Sequence, residues 1–450
     1  MKIFLILLMF GSLLGVACDD DGKTNNANNA NNANNVNNVN NANNVNNINN
    51  VNNINNINNL NNNNNTNNIN NITTLGSRRV DLLFVIDTSM SMVDDQMRLE
   101  LVWPAFFAEL AGTAGGMPDL HLGVISPDLG AGLYNIPTCQ TPGGDNGLLL
   151  RGAQNACINP LGQNFVVDVA PRGCTVTRDV DGACGANDCE QGNCDVEAFL
   201  EGETATEPEG LVLAIDDAGC PRCRNYTEET LAQVMDCLAN LGGGGCGFEQ
   251  PLEAVHTALF SWTADNLGFL RSDAVFSVTF FTDEDDCSAS HPTLFDPNAD
   301  GVLGPLSSFR CVEHGIVCDE PWSRQGSAQY TNCRSRPEGD AASLLHPVSR
   351  YVDTLRTVKG DTLTYVTALA GPADGTVAVE PDLNGNPMEL PSCESNDNGA
   401  TPAIRLQELV AAFHPGDPTA FASICSEDLL APLTGLAARI RGMVESLPQP

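Results

Sequence analysis

From Val80 to Ile86 the chain reads Val-Asp-Leu-Leu-Phe-Val-Ile, apolar at all but one position. A short, continuous run of β-branched and aromatic residues suits a parallel strand buried on both faces. The period then changes. Between Gln96 and Leu110 the apolar residues Leu99, Val102, Phe106 and Leu110 fall on one side of a helix. Leu120 to Ser126 reads as a second strand. Thr227 to Leu241 is helical through Leu231, Val234, Leu238 and Leu241, and ends at the glycine run Gly242 to Gly245. Pro251 to Ala264 is another helix, with Leu252, Val255, Leu259 and Trp262 along one face. Pro251 suits a first helical turn, where its missing N–H costs nothing. Val275 to Phe281 is a buried strand that runs out into Thr282-Asp283-Glu284-Asp285-Asp286. A helix near Ala342 to Arg356, a strand at Leu363 to Leu369 and helices at Ile404 to Phe413 and Asp428 to Val444 follow. Phe421 to Ile424 is a short strand between the last two.

Strands alternating with helices predict an α/β fold: an open, mostly parallel central sheet covered by helices on both faces. Crossovers in such sheets are right-handed. Their ligands bind at the carboxyl ends of the strands. Asp87 and Asp283 both stand where a buried strand runs out.

Two stretches break the alternation, at about 131–225 and 288–340. They are rich in Gly, Asp, Asn and Cys and carry no long periodic run, and they read as disulfide-stapled insertions. The chain has 17 cysteines. Apart from Cys18 all lie between Cys139 and Cys425, leaving an even set that reads as a disulfide framework in an exported chain. Cys220-Pro221-Arg222-Cys223 has zinc-ligand spacing, but no His or second close Cys pair completes a zinc site.

The first residues support export. Met1-Lys2 is followed by an apolar run from Ile3 to Val16, too short to span a bilayer and of the length of a signal-peptide core. It ends in Leu14-Gly15-Val16-Ala17-Cys18, which resembles a bacterial lipobox, although Gly15 stands where a Leu is usual. On that reading Cys18 is lipidated and is the membrane anchor; the alternative is an ordinary cleaved signal peptide. Asn25 to Asn71 repeats with a period of three (NNA, NNV, NNI). Such a stretch forms no stripe wide enough for a core and reads as a flexible tether spanning about 35–40 Å. A stacking or aggregating repeat is the rival reading. The expected division is a lipoprotein signal peptide at 1–18, an Asn-rich linker at 19–76 and a folded domain at 77–447. The net charge of −35 makes nucleic acid an unsuitable partner.

The chemistry concentrates at the strand ends. Asp87-Thr88-Ser89-Met90-Ser91 directly follows a buried strand, and Thr282-Asp283 ends another. Together they are similar to the first and third motifs of the metal-ion-dependent adhesion site of von Willebrand A (VWA) domains. The resemblance covers roughly residues 78–130, 226–287 and 341–446. It implies a Rossmann-like VWA fold and a bound magnesium or calcium ion, with manganese a third option. It also implies direct ligation by Ser89 and Ser91, and ligation by Asp87 and Asp283 directly or through water. One coordination position would stay open for a partner's carboxylate, the partner being an extracellular or periplasmic protein or glycan. The physical logic fits: hard cations take oxygen ligands, and alternate positions in a tight loop turn oxygens toward one point. Other readings stand beside these: helix capping for the two serines and a solvated strand end for Asp283.

One position departs from the family. Its second motif supplies a Thr before the helix that starts here near Pro251, and Glu249 occupies that place. No Thr occurs between Gly242 and Gln250. Glu249 either adds a carboxylate to the site or complements the helix macrodipole. A lost second contact would leave a weakened site in a structural subunit of an envelope complex. Asp296, Asn298 and Asp300-Gly301 resemble the start of a calcium loop, but Ser307 stands where its closing Glu belongs; an acidic turn is the alternative. Glu284, Asp285 and Asp286, next to Asp283, read as a solvated charge run; enrichment of the main site's negative field is the alternative. No enzyme pattern emerges: the six His are scattered and no GxSxG nucleophile elbow occurs.

Overall fold

A computed structural model describes residues 78–447, apart from 138, 153–156, 158–161, 179–182, 202–203, 228, 261–262, 264 and 396–397. The signal peptide, Cys18 and the Asn-rich linker lie outside the described residues, as do Trp262 and Ala264.

The fold is α/β, built on one mixed eight-stranded sheet. Its strands are β1 (Arg79–Ile86), β2 (Asp119–Ile125), β3 (Val166–Val169), β4 (Val212–Ile215), β5 (Pro221–Arg224), β6 (Val275–Phe281), β7 (Thr364–Ala370) and β8 (Phe421–Ser423). The order across the sheet is β8-β7-β6-β1-β2-β3-β5-β4. The block from β8 to β2 is parallel throughout. The pairs β2–β3, β3–β5 and β5–β4 are antiparallel. The expected parallel sheet is therefore extended by three short strands from the first cysteine-rich, disulfide-stapled segment, whose sequence carries no long periodic run. Those strands are four residues long and held from outside. Cys194–Cys223 staples β5 to the preceding loop, and Asp168 on β3 pairs with Arg222 and Arg224 on β5.

β1 is buried along its whole length, and its alternate residues divide between two cores, as the two-residue period of a strand requires. Val80, Leu82, Phe84 and Ile86 face α2 (Trp103–Ala111), α3 (Leu231–Ala239) and α7 (Leu430–Ser446). Leu83 and Val85 face α4 (Pro251–Phe260), α5 (Val348–Lys359) and α6 (Ile404–Phe413). The single helix expected over Gln96 to Leu110 is two, α1 (Val93–Leu99) and α2. Pro104 explains the break, because its ring clashes with the carbonyl four residues back.

All sixteen cysteines from Cys139 to Cys425 are paired, in eight disulfides. Cys220 and Cys223 bond to Cys184 and Cys194, which rules out zinc there. A framework this dense marks an oxidising compartment, extracellular or periplasmic. Among the described residues no helix is long and apolar enough to cross a membrane.

The two ends of the sheet treat buried charge oppositely. At the amino end of β1, Asp81 receives Arg271 at 2.9 Å and Lys359 at 3.5 Å, and His121 meets Glu207 at 2.7 Å. At the carboxyl end, among the described residues, the buried acids Asp87, Asp283 and Glu249 have no such partners.

Candidate metal centre

β1 and β6 are neighbours in register, Ile86 beside Phe281. Their carboxyl ends therefore leave the sheet side by side. Asp87 N–H continues the ladder by donating to Phe281 O at 2.9 Å. Asp87 is fully buried. Its Oδ1 accepts the Ser89 N–H at 2.7 Å and its Oδ2 accepts the Thr282 hydroxyl at 2.6 Å. Ser89 and Ser91 place their hydroxyl oxygens 3.0 Å apart. Ser91 also bonds to the carboxyl of Asp283, and the Ser89 side chain to that of Asp87. Asp87, Ser89, Ser91 and Asp283 thus form one continuous chain of oxygens. Ser89 precedes a short 3₁₀ turn, Met90–Met92, but its side chain makes no capping bond, so the capping alternative fails.

The loop is braced from behind by Gln96. Its Nε2 donates to Asp87 O at 2.7 Å and Gly242 O at 3.0 Å, while its Oε1 accepts from Leu241 N and Gly242 N. Gly245 N donates to Thr88 O at 2.9 Å. A Cβ at Gly245 would sit 1.9 Å from Thr88 Oγ1, so only glycine permits this approach.

Glu249 is 1% exposed. It does not cap α4: Asp286 Oδ1 accepts Leu252 N at 3.0 Å and Ser288 Oγ accepts Glu253 N at 2.8 Å. Its carboxyl bonds instead to Glu284. Its burial follows from the insertions. Cys139–Cys246 ties the first segment to the Gly242 to Gln250 loop, and Phe248 packs on Phe295 of the second. Asp286 is not solvated either; it is 1% exposed and holds Arg405 at 2.9 Å.

Among the described residues no salt bridge reaches Asp87, Glu249, Asp283 or Glu284. Burial, then the charges of Asp87 and Glu284, pushes Asp283 up to about 8. Burial and the charge of Asp87 push Glu284 up to about 7. Burial raises Asp87, against the hydrogen bonds from Thr282 and Ser89. Glu249 lies well above the usual range through burial, then through Glu284 and Asp87. Groups this starved of positive charge retain protons or take up a cation. Asp283 Oδ1 is buried and accepts no hydrogen bond. A hard cation would supply what that orphaned oxygen lacks, and two hydroxyls with two carboxylates are a donor set that such a cation accepts.

The site is not fully open. A short hairpin, Cys393–Ser395 with Asn398–Ala400, is stapled by Cys393–Cys425. Ser395, Gly399 and Ala400 share a cavity of about 10 Å³ with Asp95 and Asp283.

The other predicted acids lie apart. Asp296 accepts Asn298 N at 2.8 Å in a local turn, and Asp300 pairs with Arg310 at 2.8 Å. Among the described residues, the one set of three His, Cys, Asp or Glu ligand atoms within 4.8 Å of one another is Cys174, Asp188 and Cys189. Its two sulfurs are already joined to each other. A cleft of about 1030 Å³ lies by α2, α3 and β5 and contains none of the predicted site residues. Of the acids that line it, Asp168 is occupied by Arg222, Arg224 and Tyr226.

Sequence reasoning did not single out Gln96 or Arg405; both are brought in by long-range folding, with no local motif. Compared with models of protein families and with curated proteins, the chain matches none.

Proposed function

We propose that the domain is a VWA-type module that holds magnesium or calcium through Asp87, Ser89, Ser91 and Asp283 and uses it to bind a partner's carboxylate. What carries this reading is the chain of oxygens from Asp87 through Ser89 and Ser91 to Asp283, with Asp283 Oδ1 buried and unpartnered. The cation would supply a Lewis-acidic point at the carboxyl edge of the parallel strands. The residues position it: Thr282 and Ser89 N–H orient Asp87, and Gln96 fixes the backbone behind it. No catalytic group is assigned; the module binds and does not react. The partner is a protein or glycan outside the cytoplasm, and the chain is held to an envelope membrane by lipid on Cys18, at the end of its Asn-rich tether. The disulfide framework supports the compartment.

A second reading is favoured by the Cys393–Ala400 hairpin beside Asp283 and by Glu249 in place of a Thr. In it the module is a structural subunit of an envelope complex, and its metal site is closed to partners. Calorimetric titration of the chelator-stripped chain with magnesium, calcium and manganese tests the cation. Binding that Asp87→Ala removes while the substituted chain stays folded in chelator supports the reading. Absence of binding to the folded wild-type chain would sink it.

A further inference from the structure

A separate cavity of about 20 Å³ is lined by Glu249, Glu284, Asp285 and Glu389. That volume admits one or two water-sized occupants. Its acids converge from three distant parts of the chain. Glu249 precedes α4, Glu284 and Asp285 follow β6, and Glu389 ends the strand Pro387–Glu389. The second inserted segment closes the wall with Cys311, Val312 and Ile316. Glu249, 1% exposed, presents an Oε1 that accepts no hydrogen bond, and the buried Glu389 Oε1 accepts none either. The basic side chain nearby is Arg405; its Nε and Nη2 are committed to Asp286 and the His346 carbonyl, its buried Nη1 has no hydrogen bond, and its backbone N–H donates to Asp285. Burying several carboxylates against so little positive charge is costly unless something else compensates.

We propose that this cavity is a calcium site, distinct from the centre at Asp87, with Glu249, Glu284, Asp285 and Glu389 as its carboxylate ligands. The chemistry selects the ion. Calcium accepts many oxygens in flexible geometry, whereas magnesium keeps several waters, for which a cavity this small has no room. Loading requires the side chains to swing inward, since no three of these carboxylates have oxygens within 4.8 Å of one another. The ion would tie the second inserted segment and the Glu389 strand to the loop after β6. Glu249 then belongs mainly to this cavity and not to the adhesion-type centre. The inference does not depend on a cation at Asp87.

The test is equilibrium dialysis of the chelator-stripped full chain against calcium, with elemental analysis of the bound metal. Wild type is expected to bind two calcium ions, with Glu389→Gln and Asp87→Ala each retaining one. Glu389 Oε1 has no hydrogen bond to lose, so the substituted chain keeps its fold. Its calcium affinity at this site falls at least about tenfold. If Glu389→Gln binds as much calcium as wild type with equal affinity, this site is refuted while the Asp87 reading stands. Loss of metal from Glu389→Gln but not from Asp87→Ala refutes the Asp87 reading and leaves this one. Wild-type crystals soaked in a terbium salt, whose calcium-sized ion takes the same oxygen ligands, give a check independent of any variant: an anomalous peak among the four carboxylates is expected, and its absence overturns the proposal.

Discussion

Thr282 donates its hydroxyl to Asp87 Oδ2 at 2.6 Å, joining the ends of two adjacent parallel strands through one buried bond. The bond orients a carboxylate that is wholly shielded from solvent. Thr282→Val keeps the shape and removes the donor. A buried acceptor left unsatisfied costs about 1–3 kcal/mol, so the cation-free protein is expected to lose that much in urea denaturation. Cation affinity should also fall by about 10–100-fold, because the group that aims Asp87 is gone. Calorimetry of the folded variant checks this, and an unchanged affinity would show that Asp87 needs no such support.

Gly245 offers a sharper steric test. A Cβ there meets Thr88 Oγ1 at 1.9 Å and Thr88 Cβ at 2.8 Å, one residue from Asp87. Gly245→Ala is therefore expected to displace the loop, destabilise by about 1–3 kcal/mol and weaken cation binding. Gly244 has open space where its Cβ would go. Gly244→Ala should change stability by less than about 0.5 kcal/mol. Thermal melts of the two variants side by side decide it; equal effects would mean that the contact with Thr88 is unimportant.

The sequence disclosed what local patterning controls. Val275–Phe281 and Ile404–Phe413 lie where their hydrophobic periods put them, because both runs are long, regular and cleanly ended. The oxygens of Asp87, Ser89 and Ser91 were legible because one tight loop gathers them. β3, β4 and β5 were not, since each owes its place to disulfides and to the Asp168–Arg222 pair more than to an apolar pattern. Glu284, Asp285 and Asp286 resembled a solvated run because nothing nearby in sequence announces Arg405, Glu389 or the inserted segment that buries them. Charge patterning shows which residues are acidic; only the fold decides which of them lose water.

The raised carboxyls make stability depend on pH with a definite sign. Asp283 rises from 3.8 to about 8 and Glu284 from 4.5 to about 7. In the cation-free protein these groups hold protons that the unfolded chain has released. Their contribution is therefore complete below about pH 4 and is lost as pH rises through about 7 to 8. A divalent cation replaces those protons, so binding should release protons and stabilise more as pH rises. Melting temperatures measured from about pH 5 to about pH 8.5, with chelator and with saturating magnesium or calcium, read this directly. The cation-dependent increase should be smallest at the acidic end. An increase that is flat with pH would mean that these carboxyls are ionised without metal.

The Cys393–Cys425 bond bears on whether the Asp87 centre is open or closed. It closes a loop of 32 residues and fixes the hairpin over a small core of Met92, Ala400 and Ile424. Thr401 N, just after the hairpin, donates to Asp283 O at 2.9 Å. Neither cysteine offers a ligand to the cation, so removing both should leave equilibrium affinity nearly unchanged. Loss of the crosslink should cost about 3–4 kcal/mol of stability by chain entropy. The kinetics are where the two functional readings part. With the hairpin pinned beside Asp283, an ion must wait for it to move; with Cys393→Ser and Cys425→Ser together, the hairpin opens more often. Release of bound manganese on mixing with chelator is therefore expected to be faster in the double variant than in wild type, at similar affinity. Equal release rates would show that the hairpin does not gate the site, leaving the coordination position open to a partner in the native protein and removing the main support for a closed structural subunit.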